Sequence, residues 1–312
     1  MPTRSTPARG LLLVVGAALC WGTSGISGDV VARRTGLDPL DIAEHRMVIG
    51  AAALVAVHLA RHRRMPEGGA GRLRGRLVAV GAALALYQCG YFAAVATAGV
   101  GLATLVSLGL APLLVAVGSA VLGHGRPDRA TGLALGVALA GLVLLVGVSA
   151  GGDDGDAVLL GALLAGGAAI AYAGVVLLSA GVPEGVPTTT VGFTAGAVLL
   201  TPVALAAGLD LTADPLALVL LLYLGLVPTA LAYGLFFAGV RAVPAAVASI
   251  GTLLEPLTAT ALAALLLGER LAPTALAGGA LMLGAVTALY LRRMGDSNSR
   301  GLAPNPLSKR AP

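Results

Sequence analysis

Residues 245–267 read AAVASIGTLLEPLTATALAALLL, an apolar stretch with one charged residue, Glu255, near its middle. About 20 such residues cross the hydrocarbon core of a bilayer as a helix. A carboxylate at that depth is costly and usually marks a functional site. Pro256 follows directly and has no amide hydrogen, so the carbonyl of Thr252 loses its helical partner. The stretch therefore predicts a membrane-spanning helix that combines a charge and a freed carbonyl, an arrangement typical of transporters.

The composition is that of a membrane protein. Hydrophobic residues make up 57% of the chain, charged residues 11%, and the mean hydropathy is +0.91. Soluble domains carry about 25% charged residues. The net charge of +5 does not indicate nucleic-acid binding, because the basic residues cluster in loops between apolar segments. Cys20 and Cys89 lie within apolar segments and have no zinc or disulfide spacing, so neither a metal nor a cofactor is expected.

The apolar segments predict an all-α integral membrane protein with ten transmembrane helices. They cover residues 11–32, 41–60, 77–98, 102–122, 131–149, 157–179, 188–207, 215–239, 245–267 and 272–291. Arg4 and Arg9 precede the first segment as in a signal peptide, but the segment continues to about Val31, which favours a transmembrane helix. Residues 1–10 are predicted to form an N-terminal tail, and residues 292–312 a disordered C-terminal tail.

Basic residues predict the orientation, because Lys and Arg accumulate in cytoplasmic loops. With the N-terminus in the cytoplasm, sixteen basic residues lie inside and three, Arg33, Arg34 and Arg270, lie outside. Arg46 falls within the second segment. We therefore expect a multi-pass protein of the cytoplasmic (inner) cell membrane with both termini cytoplasmic.

The chain also repeats itself. Residues 90–95 align with residues 234–239 at a shift of 144, and the same shift pairs Pro112 with Pro256. Residues 19–21 further resemble residues 170–172. The repeats are thus residues 11–149 and 157–291. Because each has five segments, an odd number, the second must enter the membrane from the opposite side. Chance similarity between two stretches rich in Ala, Gly and Leu is the alternative.

Several motifs stand out in the two repeats. The second repeat carries them in residues 223–233, in Leu254-Glu255-Pro256-Leu257, and in Gly268-Glu269-Arg270. The first repeat carries Trp21-Gly22 and Arg46. Together these motifs resemble the EamA family of the drug/metabolite transporter superfamily. The resemblance implies two inverted EamA repeats of five helices and the export of amino acids, related metabolites or drugs, in some members with the proton gradient. The first repeat departs from the pattern, because Ala111 stands opposite Glu255 and His124 replaces the acid of the Gly-Glu motif.

Glu255 is the first candidate for substrate or ion binding. Helical spacing places Thr252 and Thr258 on its face, which is small and polar enough to line a cavity. We expect Glu255 to bind a proton or a substrate ammonium group. The alternative is a structural carboxylate that bonds a neighbouring helix.

Arg46, in the outer third of the second segment, could capture a substrate carboxylate with its planar guanidinium. The alternatives are a side chain that reaches the outer interface, or a pair with an acid on another helix. Aromatic side chains could form the walls of the pocket, and the candidates are Trp21, Tyr172, Tyr91 and Tyr233. For these the alternative is helix packing or anchoring at the interface. Pro112 and Pro256 are predicted to mark corresponding bends that shape or gate the cavity.

The leading interpretation is a secondary transporter that exports small metabolites, such as amino acids or their derivatives, by alternating access. A multidrug exporter with aromatic walls is the alternative. A membrane-embedded enzyme is less favoured, because no zinc motif joins any of the four histidines to an acid within a segment. A channel would need a continuous polar lining. The expected partners are a small-molecule substrate, a proton, membrane lipid and, if the Gly-x3-Gly motifs act between protomers, a second copy.

Overall fold

The computed structural model describes residues 7–60, 70–123, 125–146, 155–180, 182–183, 186–267 and 272–301. Within these ranges the regular structure is helical, as the apolar segments predict. The helices of the first half are α1 (Pro7–Gly22), α2 (Ser24–Thr35), α3 (Pro39–Ala60), α4 (Ala70–Val121) and α5 (Arg129–Val146). Those of the second half are α6 (Gly155–Ser179), α7 (Thr188–Ala207), α8 (Pro215–Leu224), a π-helical segment (Gly225–Leu231), α9 (Ala232–Val240), α10 (Ala245–Thr252), α11 (Leu254–Leu267) and α12 (Pro273–Gly301).

Length and hydropathy confirm a multi-pass, all-α membrane protein. In the described ranges, nine helical stretches are long and apolar enough to cross a membrane. The fifth predicted segment corresponds to a shorter apolar helix, Arg129–Leu145, and residues 147–154 that follow α5 lie outside the described part. The third and fourth segments form two helical spans, Gly71–Gly99 and Leu102–Val121, which α4 includes together. They meet at Gly99, whose φ of 81° and ψ of 163° are not helical. Glycine adopts this backbone conformation without the strain that a side chain would cause.

The last helix is longer than predicted. Helix α12 continues to Gly301, so the boundary of the disordered tail at Arg292 was placed too early. The prediction followed the end of the apolar segment, but polar residues can extend a helix beyond the membrane because most of them are tolerated in helices. The rest of the predicted tail, residues 302–312, lies outside the described residues.

Three of the predicted segments are interrupted rather than continuous. The first is broken at Thr23, the eighth changes to π-helix at Gly225–Leu231, and the ninth is broken at Leu253. Side chains and prolines explain each break. Thr23 Oγ1 donates to Cys20 O (2.7 Å), Pro228 lies inside the π-helical segment, and Pro256 removes the amide that Thr252 O would bond. Irregular backbone at membrane depth is tolerated where it lines a cavity or is buried in protein.

The two prolines that align between the repeats behave differently. Pro112 lies inside α4 and does not interrupt the helix. The other helix is interrupted at Leu253, three residues before Pro256. The two prolines therefore differ in whether the helix is interrupted nearby. Sequence alignment cannot show this difference, because the backbone at each proline depends on the helices packed around it.

Close packing brings the interrupted helices together. A Cβ atom added to Gly22 would lie 2.4 Å from Thr258 Cβ, so α1 and α11 approach more closely than any larger residue would permit. A Cβ atom at Gly50 would lie 2.6 Å from Thr229 Cγ2, which likewise fixes α3 against the π-helical segment. Small residues allow such contacts between membrane helices. The result is a cavity bordered by residues of both halves of the chain.

Candidate functional site

A cavity of about 410 Å³ lies where the interrupted helices meet. Residues of α1, α2, α3, α4, α9 and α11 line it, together with Leu224 at the end of α8. At one end it reaches Ala32 and Pro39, which flank the connection between α2 and α3. At the other it is bordered by Trp21, Tyr233 and Glu255, which lie at or near the interruptions of the three helices.

Arg46 and Glu255 line this same cavity, from α3 and α11 respectively. Both side chains are half-buried. Among the salt bridges between described residues, none involves either group. The cavity therefore presents a guanidinium and a carboxyl group to whatever it contains. Both residues were predicted from the sequence to belong to a site. Only the structure shows that they line one cavity, because they are 209 positions apart in the chain.

Arg46 is held in place by the π-helical segment. Its Nε donates to Thr229 Oγ1 at 3.2 Å, and Thr229 Oγ1 in turn donates to Leu224 O at 2.8 Å. Thr229 is fully buried. The hydroxyl thus uses its single hydrogen on a backbone carbonyl and accepts from the guanidinium. This interaction leaves the terminal guanidinium nitrogens available to bind a carboxylate.

Aromatic rings form one wall of the cavity. Trp21 and Tyr233 have ring centroids 4.7 Å apart, and Tyr87 and Tyr91 stack at 6.0 Å. All four line the cavity. The hydroxyl of Tyr91 is 3.0 Å from Thr104 Oγ1, which also lines it. Three of the four predicted aromatic candidates, Trp21, Tyr91 and Tyr233, are thus placed at the cavity.

The other three predicted site residues lie outside the lining. Tyr172 is buried behind Tyr87, with ring centroids 5.2 Å apart. Thr252 Oγ1 donates to Ser249 O, and Thr258 Oγ1 to Leu254 O, each at 2.8 Å. Helical spacing placed these threonines beside Glu255, but the break at Leu253 and the contact of Thr258 with Gly22 change that face. The prolines also differ, because Pro256 lines the cavity and Pro112 does not.

Six further polar or aromatic residues line the cavity and were not among the predicted site residues: Ser24, Asp29, Tyr87, Gln88, Phe92 and Thr104. Gln88 is 6% exposed within a membrane-spanning helix, and Tyr87 precedes Tyr91 by one helical turn. A polar amide inside an apolar segment and an aromatic pair at spacing i, i+4 were the signals that could have identified them. No group of three or more His, Cys, Asp and Glu suitable for a metal occurs in the described ranges.

A smaller cavity, of about 280 Å³, lies beside the N-terminus of α7. It is lined by His58 of α3, Arg241 after α9 and Thr188 to Thr190, among others. Arg241 donates to Thr188 Oγ1 at 2.8 Å and to Val186 O at 3.2 Å. These bonds stabilise the start of α7 and attach the end of α9 to it.

Comparison with known proteins assigns the chain to a family. The profile of the EamA-like transporter family matches residues 8–147 and again residues 159–291. The "Uncharacterized transporter YwfM" of Bacillus subtilis (strain 168) is 33% identical over 277 residues, which are 87% of this chain and 90% of that protein. A crystal structure with 23% identity superposes with a TM-score of 0.76 over 91% of this chain and 98% of the other, which shows a shared fold.

The double match agrees with the repeats read from the sequence, since each matched region contains one five-segment half. It covers nearly the whole helical part of the chain. The chain belongs to the EamA-like transporter family and is a membrane transporter.

Proposed function

We propose that this protein is a secondary transporter that exports small zwitterionic metabolites, such as amino acids or their derivatives, by alternating access. The observation that carries the proposal is the placement of Arg46 and Glu255 in one cavity of about 410 Å³. A guanidinium binds a carboxylate through two parallel hydrogen bonds. A carboxylate in the same cavity binds an ammonium group, so the pair complements both ends of an amino acid.

Glu255 can serve in two ways within this proposal. It binds the ammonium group of the substrate directly, or it binds a proton that exchanges with the substrate. Both uses need a carboxyl group that reaches the cavity without a permanent cationic partner. Glu255 lines the cavity and belongs to none of the salt bridges between described residues, and Arg46 is the cation that interacts with it electrostatically.

Alternating access is supported by the interrupted helices. The breaks at Thr23 and Leu253 and the π-helical segment lie beside the cavity, where a change in backbone angles would open or close it. Ala32 and Pro39, at one end of the cavity, flank a connection that the distribution of basic residues places outside the cell. We therefore assign the described conformation to the outward-facing side of the cycle, with both termini in the cytoplasm of a cell whose inner membrane holds the protein.

Export of lipophilic compounds is the second candidate function. Trp21, Tyr87, Tyr91 and Tyr233 supply a broad aromatic surface that would bind apolar drugs without charge recognition. Such a substrate would not require both Arg46 and Glu255. The two functions are therefore separated by the response of transport to the loss of each charge.

The first experiment compares small molecules in the medium and cytosol of cells that express the wild type, Glu255→Gln or no transporter. We expect a metabolite with free amino and carboxylate groups to accumulate in the medium with the wild type and not with Glu255→Gln. Glutamine matches glutamate in size, so this variant removes the charge and keeps the shape. Identical profiles in all three, with the protein present in the membrane, would contradict metabolite export.

A second measurement assigns the two charges to the two ends of the substrate. Purified protein in proteoliposomes is tested for counterflow of the substrate, its decarboxylated analogue and its N-acetylated analogue. We expect Arg46→Gln to abolish the preference for the intact carboxylate and Glu255→Gln to abolish the preference for the free amine. Equal transport of the three compounds by the wild type would support the drug exporter instead.

A further inference from the structure

A second intramembrane acid lies away from the cavity. Glu44 of α3 is only 2% exposed, within the candidate membrane span Pro39–Ala60. It does not line the cavity that contains Arg46 and Glu255. Its neighbour is Thr201 of α7, so the carboxyl group lies between α3 and α7. An ionisable group in this environment requires a physical explanation.

The hydrogen bonds of Thr201 indicate where a proton is held. Thr201 Oγ1 lies 2.5 Å from Glu44 Oε1 and 2.8 Å from Ala197 O. A hydroxyl group has one hydrogen, and a carbonyl oxygen can only accept. If the Thr201 hydrogen is donated to Ala197 O, the contact with Glu44 needs a hydrogen from the carboxyl group. A protonated Glu44 satisfies both contacts, whereas an ionised Glu44 satisfies only one of them.

The surroundings of Glu44 also favour the neutral acid. Its second oxygen, Oε2, is buried without a hydrogen-bond partner among the described residues. Of the helices packed against α3, α7 and the π-helical segment carry no ionisable residue. The other two with titratable groups besides α8 are α2, with Asp29, Arg33 and Arg34, and α4, with Arg72, Arg74, Arg76, Tyr87, Cys89 and Tyr91. Tyr223 of α8 is bonded to Thr23, and the groups that interact electrostatically with Glu44 are His45 and Cys89. A buried carboxylate would thus have one hydrogen bond, from Thr201 to Oε1, and none at Oε2, which is fewer than normally compensate a buried charge.

We propose that Glu44 is a proton-binding site between α3 and α7, separate from the substrate cavity, in which a neutral carboxylic acid donates to Thr201 Oγ1. The proton comes from water and returns to water, and no other group needs to change its state. The site does not depend on which substrate the cavity binds.

The position of the site links it to the movement of α3. The same helix carries Arg46 two residues further on, and packs against α7 at Glu44. While Glu44 is protonated, it can remain buried against α7. A carboxylate would need water, so loss of the proton is tied to separation of α3 from α7. This arrangement gives the protein a second place at which a proton can be coupled to a change of conformation.

Infrared spectroscopy of the purified protein at pH 7 tests the proposal. Exposed Asp and Glu, with a pKa of about 4, are ionised at this pH and do not contribute to the carboxylic-acid C=O band. We expect the wild type to show this band, with a shift in D₂O. Glu44→Gln should lose a component of the band that Glu255→Gln retains. An unchanged band in Glu44→Gln would overturn the proposal.

Variants of α7 provide an independent test that keeps Glu44 in place. Thr201→Val removes the acceptor of the proposed hydrogen bond, so the Glu44 component should move to a different frequency. Thr194→Val is the matched control, because Thr194 is also on α7 and its Oγ1 is buried with no partner among the described residues. A band that is the same in Thr201→Val and in the wild type would overturn the proposal even if Glu44→Gln does not fold.

Discussion

At the scale of single residues, Arg46 shows how a charge is positioned beside the cavity. Its Nε is bonded to Thr229, and Gly50 one turn later allows α3 to contact that threonine closely. The guanidinium is therefore oriented by a buried hydroxyl of the π-helical segment. A side chain held in this way loses less rotational entropy on binding a carboxylate than a free one would.

Replacement of Thr229 tests this role. Thr229→Val keeps the shape and removes the hydroxyl, so Arg46 loses a charge-assisted hydrogen bond worth about 1.5 kcal/mol. We expect roughly a tenfold increase in KM for the carboxylate substrate in proteoliposomes. Thr229→Ser retains the hydroxyl and should remain close to the wild type. A KM that is equally high in both variants would indicate loss of packing rather than of the hydrogen bond.

Residue type identified candidates that line the cavity, whereas helical spacing selected two threonines that do not. Glu255, Arg46, Trp21, Tyr91 and Tyr233 were selected from the sequence and lie at one cavity. Charge and aromaticity at membrane depth are unusual enough to be noticed in a single sequence. Thr252 and Thr258 were selected by helical spacing, and their hydroxyls bond the backbone of their own helices. The burial of Glu44 against α7 depends on tertiary packing and was not predicted.

At the scale of elements, the interruptions distinguish the helices beside the cavity from the others. The break at Leu253 places Glu255 in the first turn of α11 rather than in the middle of a helix. The corresponding part of α4 continues through Pro112. The sequence predicted the span and its proline, because both are local signals. It did not predict that the equivalent proline leaves a helix intact.

The aligned prolines provide a matched pair of variants. Pro256→Ala restores an amide that can bond Thr252 O, which favours a continuous helix and moves Glu255 away from its position at the break. We expect the transport rate to fall about tenfold or more while the protein remains folded. Pro112→Ala, in a helix that is already continuous, should reduce it by less than about twofold. Initial rates in proteoliposomes measure both effects, and equal rates would show that the break does not position Glu255.

At the scale of the whole molecule, an exposed ion pair joins the two repeats. Arg34 at the end of α2 contacts Asp214 before α8, with Nη2 and Oδ2 2.8 Å apart. The hydrogen bond from Arg34, and then that from the amide of Ala217, lower the pKa of Asp214 below its usual value. A carboxyl group with a lowered pKa stabilises the folded state at neutral pH, and this stabilisation is lost as the pH falls through that pKa.

Arg34→Gln tests the contribution of this pair. We expect a small decrease in the melting temperature of the purified protein at pH 7, because exposed ion pairs are weak. The difference from the wild type should disappear on acidification, when Asp214 becomes protonated, and should shrink in high salt. Arg33→Gln is the control for general loss of charge in the same turn, since Arg33 pairs with Asp29 within α2. A difference that persists at low pH would assign the effect to packing.

The division into two repeats could be predicted because similar residues recur at a fixed shift along the chain. The family profile matches both halves. The alternation of apolar segments and short connections likewise predicts ten transmembrane helices. Among the described residues nine are long enough to cross a membrane, and the tenth, Arg129–Leu145, is shorter. The packing of the two halves against each other could not be predicted from local sequence. The contacts of Gly22 with α11 and of Gly50 with the π-helical segment each join residues more than 150 positions apart.

The absence of a second Glu255 in the first repeat, where Ala111 occupies the aligned position, has a stereochemical consequence. A cavity with equal charges on both sides of a two-fold axis would accept the same molecule in two equivalent orientations. Here a cation from α3, an acid from α11 and an aromatic wall containing Trp21 and Tyr233 are three different points of attachment. Three unlike contacts around one carbon atom distinguish its enantiomers. The cavity therefore holds its substrate in one orientation, and we expect the transporter to discriminate between the L and D forms of that substrate.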